Sequence, residues 1–136
     1  MVDSELLEKI TDEHRFIVEY LLEKVSIGEL KISYGELSDA ILKKHNVEVN
    51  PHTVLPHRIG LISRICHQLG LPMLSVVVVN DLTQLPGEGF YRLYDELHNT
   101  HYFGNEYFEK KIRKEVKDEV LNCKEWNKLA EIFDLK

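Results

Sequence analysis

Between Lys31 and Tyr91 four signals follow one another in an order that few folds accommodate. Ser33-Tyr34-Gly35-Glu36 sets a serine three residues before a glutamate, the reciprocal cap that starts a helix, ahead of Leu37, Ala40 and Ile41. This predicts a helix over residues 34–45. After a loop or short extended link over 46–51, Pro56 is tolerated in the first turn of a second helix, where its missing N–H would have no partner anyway. That helix is expected to run over 56–69, closed by Gly70 and by Pro72, which cannot continue it. Leu55, Ile59, Ile62 and Cys66 recur at spacings of four, three and four and mark its buried stripe, with Leu61 and Ile65 expected to stay partly exposed. Residues 73–79 are β-branched and apolar on both faces, the pattern of a strand buried on both sides. Residues 81–89, with Pro86-Gly87 and Gly89, read as a turn or wing.

Helix, helix, buried strand and glycine-marked loop are the order of a winged helix-turn-helix. The expected fold class is therefore α+β, mainly helical, with a winged helix-turn-helix core and flanking N- and C-terminal helices. One domain over 1–136 is expected, with its core at 31–91 and C-terminal helices over 92–136. On the N-terminal side Thr11 can cap a helix over 12–26, with Ile17, Tyr20, Leu21, Lys24 and Val25 along one face and a shorter turn at Leu6, Leu7 and Ile10 before it. On the C-terminal side a helix is expected from near Phe90. A long charged helix over about 105–121 should be laced by i, i+4 ion pairs, and a short one capped by Asn122 should carry Trp126, Leu129 and Phe133.

The chain carries a formal charge of −6, which works against indiscriminate nucleic-acid binding because phosphate neutralisation supplies most of that affinity. The charge is uneven. Residues 1–30 carry −5, residues 31–70 carry +2 together with His45, His52, His57 and His67, and residues 71–136 carry −3. The candidate reading segment is thus the net-basic part. No apolar run reaches the length of a membrane span, and the charged first residues do not form a secretory signal, so a cytoplasmic protein with no membrane partner is expected. Cys66 and Cys123 lack metal-type spacing, and Cys66 falls on the apolar face of its helix as a small core residue.

Ser33-Tyr34-Gly35-Glu36-Leu37, His57-Arg58-Ile59-Gly60 and Gly70-Leu71-Pro72 together resemble the C-terminal winged-helix domain of alkylguanine-DNA alkyltransferases and of their catalytically dead, alkyltransferase-like relatives. In that family the recognition helix holds Arg-Ala-Val-Gly, and its arginine takes the place of a flipped base. The resemblance puts His57 at that finger position and Arg58 beside it. The family's reactive Pro-Cys-His-Arg should fall near Leu74-Ser75-Val76-Val77, where none of its residues is present. The resemblance covers under half the chain and implies topology and DNA contact without alkyl transfer. The run from Gly70 to Asn80, followed by Leu85-Pro86-Gly87-Glu88-Gly89-Phe90, is also similar to small bacterial and phage winged-helix proteins.

Other chemistry is poorly served. His52 with His57, and His98 with His101, give pairs without the three or four ligands of a zinc site. Cys66 and His67 are adjacent on a helix and point about 100° apart, so they do not form a nucleophile and its base. Gly87-Glu88-Gly89 lacks the lysine of a phosphate loop. The reading is a non-enzymatic binding module with no catalytic residue, metal or cofactor. Its candidate nucleic-acid contacts are Tyr34, Lys43, Lys44, His57, Arg58, Arg64 and His67, presented by the helix over 56–69 and the wing over 81–89 to double-stranded DNA. The alternative is a protein-binding adaptor or inhibitor of phage or defence type, in which an acidic surface mimics DNA. A third reading is a relic that flags alkyl lesions without repairing them. With no cysteine in the reactive position, incubation with a benzylguanine probe should leave Cys66 and Cys123 unlabelled. Stoichiometric labelling of either by mass spectrometry would refute the expectation.

Overall fold

The computed structural model describes residues 2–135. Seven helices and two short strands follow in the order α1 (Ser4–Leu7), α2 (Asp12–Ser26), β1 (Ile32–Ser33), α3 (Tyr34–His45), α4 (Leu55–Gln68), a 3-10 turn (Leu74–Val77), β2 (Val78–Val79), α5 (Glu88–His98), α6 (Glu106–Asn122) and α7 (Trp126–Ile132). No helix among the described residues is long and apolar enough to cross a membrane.

Helix starts follow local chemistry. The Ser33 hydroxyl accepts the Glu36 N–H at 3.0 Å, while the Glu36 carboxylate takes the Tyr20 hydroxyl at 2.7 Å instead of reaching back to its own cap. Asn105 caps α6 by accepting from the Phe108 N–H at 3.2 Å. Gly70, at φ +74°, supplies the left-handed residue beyond α4, and the Leu71 N–H returns to the Cys66 carbonyl at 2.8 Å. Asn122 does not cap the last helix as expected. It belongs to the end of α6 and donates to the Asp118 carbonyl, and Glu125 precedes α7.

Helix α4 packs against α2, α5 and the 3-10 turn, and α6 closes over that turn. Leu55, Ile59, Ile62 and Cys66 are buried as their spacing requires. Ile65, expected at a partly exposed position, is buried as well, because α4 is covered on more than one side. One apolar cluster joins Ile17, Val18 and Leu21 of α2, the stripe of α4, the valine run, Ile112, Val116 and Val120 of α6, and Leu129 and Phe133.

The run 73–79 is buried throughout, yet only Val78 and Val79 form a strand, paired in parallel with Ile32 and Ser33. Residues 74–77 wind into a 3-10 turn. A strand needs a neighbour to take its amides, and β1 is two residues long. Further up the run the Val76 N–H turns back to the Met73 carbonyl and the Ser75 N–H goes to the Ser63 hydroxyl. Apolar periodicity alone cannot separate these outcomes for a short buried run. The loop after β2 makes no strand pairing among the described residues. It closes on Asn80, whose side-chain oxygen accepts from the Leu82 and Thr83 N–H groups and whose own N–H donates to the Leu85 carbonyl. Glu88 and Gly89, read as the end of the wing, already belong to α5. The i, i+4 ion pairs expected along α6 do not close among the described residues.

Ile62 is fully buried on α4. Ile62→Ala should therefore cost about 2–4 kcal/mol of unfolding free energy. Ser33→Ala, which removes one cap, should cost about 1 kcal/mol. Urea denaturation followed by circular dichroism checks both, and equal losses would contradict the central place given to α4.

Candidate binding cleft

An open cleft of about 910 Å³ lies between the first half of α4, the start of α5, α1 and the first turn of α2. Of the seven residues proposed from sequence, Tyr34, His57, Arg58 and Arg64 line it. The other three do not. Lys43 and Lys44 sit on the last turn of α3, where Lys44 Nζ pairs with Glu19 Oε1 at 2.7 Å. His67, at the far end of α4, packs edge-on against the His98 ring and lines a separate small cavity with Tyr94 and Glu119.

Both arginines of α4 are already engaged. Arg58 Nε meets Glu13 Oε1 of α2 at 3.1 Å, not Glu36 or Asp39 of α3, because α2 is the helix packed along α4. Arg64 grips the Glu96 carboxylate of α5 with both terminal nitrogens, one of them at 3.0 Å. Lys9, His14, Ser75 and Arg92, none of them among the contacts expected from the sequence, are also brought to the cleft by the fold. Lys9 and Arg92 form no ion pair among the described residues. The Arg92 guanidinium stacks 4.2 Å from the Phe103 ring. The lining thus holds four cations, Lys9, Arg58, Arg64 and Arg92, against two carboxylates, Glu88 and Glu96. That is a local charge of +2 in a chain of −6.

The Tyr34 hydroxyl lies so close to Gly87 that a Cβ there would stand 3.3 Å from it, so glycine is the residue that lets α3 meet the start of α5. Burial pushes the Tyr34 phenol above its usual range, against a smaller opposing effect from a backbone hydrogen bond at Gly87. Ser75 is buried on the cleft wall, and its hydroxyl accepts from the Ser63 hydroxyl at 2.7 Å. Cys66 lies in the core behind, where burial raises its thiol to about 12. Among the described residues no three His, Cys, Asp or Glu side chains are grouped to hold a metal ion.

His14 is only 2% exposed and lines the cleft from the first turn of α2. Its Nδ1 accepts the Thr11 N–H at 2.9 Å. Burial first, and then the nearby Arg58 charge, lower its pKa from 6.5 to about 4. The folded state therefore resists protonation that the unfolded chain accepts between these values. The stability that neutral His14 contributes is complete above pH 6.5 and is lost as pH falls through 4, up to about 3 kcal/mol in all. Urea denaturation at pH 7 and pH 4.5 should show this as a steeper acid loss in the wild type than in His14→Gln. Parallel pH profiles would contradict it.

No family model matches this chain, and no curated protein or solved structure matches it significantly.

Proposed function

We propose that the protein is a non-enzymatic nucleic-acid-binding module, engaging DNA through α4 and the loop over 81–89. In this reading α3 and α4 serve as the helix-turn-helix and the Asn80-closed loop as the wing. The observation that carries it is the cleft lining of +2 in a chain of −6. Affinity for a polyanion comes mainly from cations that replace condensed counterions, so this cleft, which gathers four of them, is where a strand would sit.

The ion pairs on α4 do not forbid this. Arg64 is 38% and Glu96 58% exposed, and a pair so open to solvent is worth about 0.2–1 kcal/mol, which a phosphate contact can replace. Arg58 and Glu13 are less exposed, so Arg58 contributes less freely. Ser75 stands near the position where the alkyltransferase pattern has its cysteine, and its side-chain partner is another serine. A serine nucleophile needs an adjacent base, which supports a binding role without transfer chemistry.

A protein partner is the second reading, favoured by one observation. Leu82, at the tip of the loop, is 93% exposed, and Leu85 beside it is 40% exposed. Salt separates the two readings, since an apolar contact lacks the steep salt dependence of phosphate binding.

Fluorescence anisotropy with a mixed-sequence duplex at low and moderate salt tests the proposal. Lys9→Ala and Arg92→Ala should each weaken binding and lower the salt slope by about one unit. Lys114→Ala, on the exposed face of α6, should change neither. No wild-type binding at low salt would overturn the nucleic-acid reading and leave the protein partner.

A further inference from the structure

The third residue of a capping box is ordinarily glutamate or glutamine, whose oxygen accepts the N-cap N–H. Here that position holds His14, and its Nδ1 accepts the Thr11 N–H at 2.9 Å, with the Thr11 hydroxyl equally close. A backbone N–H only donates, so Nδ1 carries no proton and the neutral ring must bear its hydrogen on Nε2. Capping the helix does not require that second nitrogen. A glutamate would cap as well without placing an N–H in a site 2% exposed.

Nε2 has no hydrogen-bond partner among the described residues, although His14 borders the cleft. It is not among the enclosed unpaired side-chain atoms, so it meets solvent where His14 borders the cleft, and a ligand acceptor that takes the place of water there keeps the hydrogen bond. The surroundings limit what that atom is. Tyr34, Ile59, Leu61 and Phe90 give the cleft apolar and aromatic walls, while Lys9 and Arg92 supply its unpaired cations. An uncharged donor among apolar walls suits an uncharged acceptor on a flat ring, and the free cations suit a phosphate attached to it.

We propose that His14 Nε2–H is a base-reading donor, donating in the cleft to the carbonyl oxygen of an unpaired nucleobase whose phosphate lies against Lys9 and Arg92. This rests on the nucleic-acid reading and adds to it a single-stranded or locally opened ligand and a recognition residue from outside the helix-turn-helix. The depressed pKa of His14 is consistent with it, because the ring stays neutral at ordinary pH and adds no charge to the contact.

The probes are an oligothymidylate strand, whose bases carry carbonyls, and an abasic strand of equal length, which keeps the phosphates alone. Wild type should bind oligothymidylate more tightly than the abasic strand. His14→Phe keeps a flat aromatic ring and removes both nitrogens. It should weaken oligothymidylate binding about tenfold, the worth of one buried hydrogen bond, and leave abasic binding unchanged. A merely structural loss of the helix cap would weaken both strands together and overturn the assignment, as would equal oligothymidylate affinity in variant and wild type. In the wild type, long-range proton–nitrogen spectra of the His14 ring should show Nε2 protonated and its resonance displaced by oligothymidylate. A ring protonated on Nδ1, or an unmoved resonance at saturation, would also overturn it. Failure of the wild type to bind either strand would remove the nucleic-acid reading itself, and this inference with it.

Discussion

The burial of α4 on more than one side is the constraint on which the remaining architecture depends. Leu55, Ile59, Ile62, Ile65 and Cys66 leave little of this helix for solvent, so α2, α5 and the valine run are held around it. The Ser63 hydroxyl extends the hold by polar means. It accepts the Ser75 N–H and donates to the Ser75 hydroxyl, which satisfies a backbone donor where no strand neighbour is available. What α4 leaves uncovered is the first half of its outer face, and that face becomes one wall of the cleft.

Charge then gives this wall its character. An acidic chain disfavours polyanions in general, yet the fold gathers Lys9 from the turn after α1, Arg58 and Arg64 from α4 and Arg92 from α5 around one opening. These residues are far apart in sequence and no segment of the chain advertises them together. The two arginines of α4 are restrained by Glu13 and Glu96, so affinity is expected to come chiefly from Lys9 and Arg92, with the arginines of α4 engaged at the cost of weak surface pairs.

Local signals made the helices legible. Thr11, Ser33, Pro56 and Gly70 marked the ends of α2, α3 and α4 to within a residue, because caps and breakers act over three or four neighbouring positions. Features that depend on distant partners were harder to read. The valine run presents the same pattern whether it finds a ladder or not, and here only Val78 and Val79 do. Arg58 was a plausible reading residue on its helix, but its partner Glu13 lies 45 positions away. Three residues proposed as contacts, Lys43, Lys44 and His67, are exposed but lie away from the cleft, because the charge of a segment does not say which face of the fold its residues reach. His14 left a trace that was open to notice, a histidine where a capping box carries glutamate or glutamine. Its place beside the cleft depends on the packing of α2 along α4.

The account rests on this cleft being the place where a nucleic-acid strand sits. The most direct measurement is amide shift mapping of the labelled protein during titration with a short DNA strand at low salt. The account predicts shifts concentrated at Lys9, His14, Tyr34, residues 57–64 and residues 87–92. Shifts concentrated on α6 and α7, or at the end of α3 around Lys43 and Lys44, would contradict it.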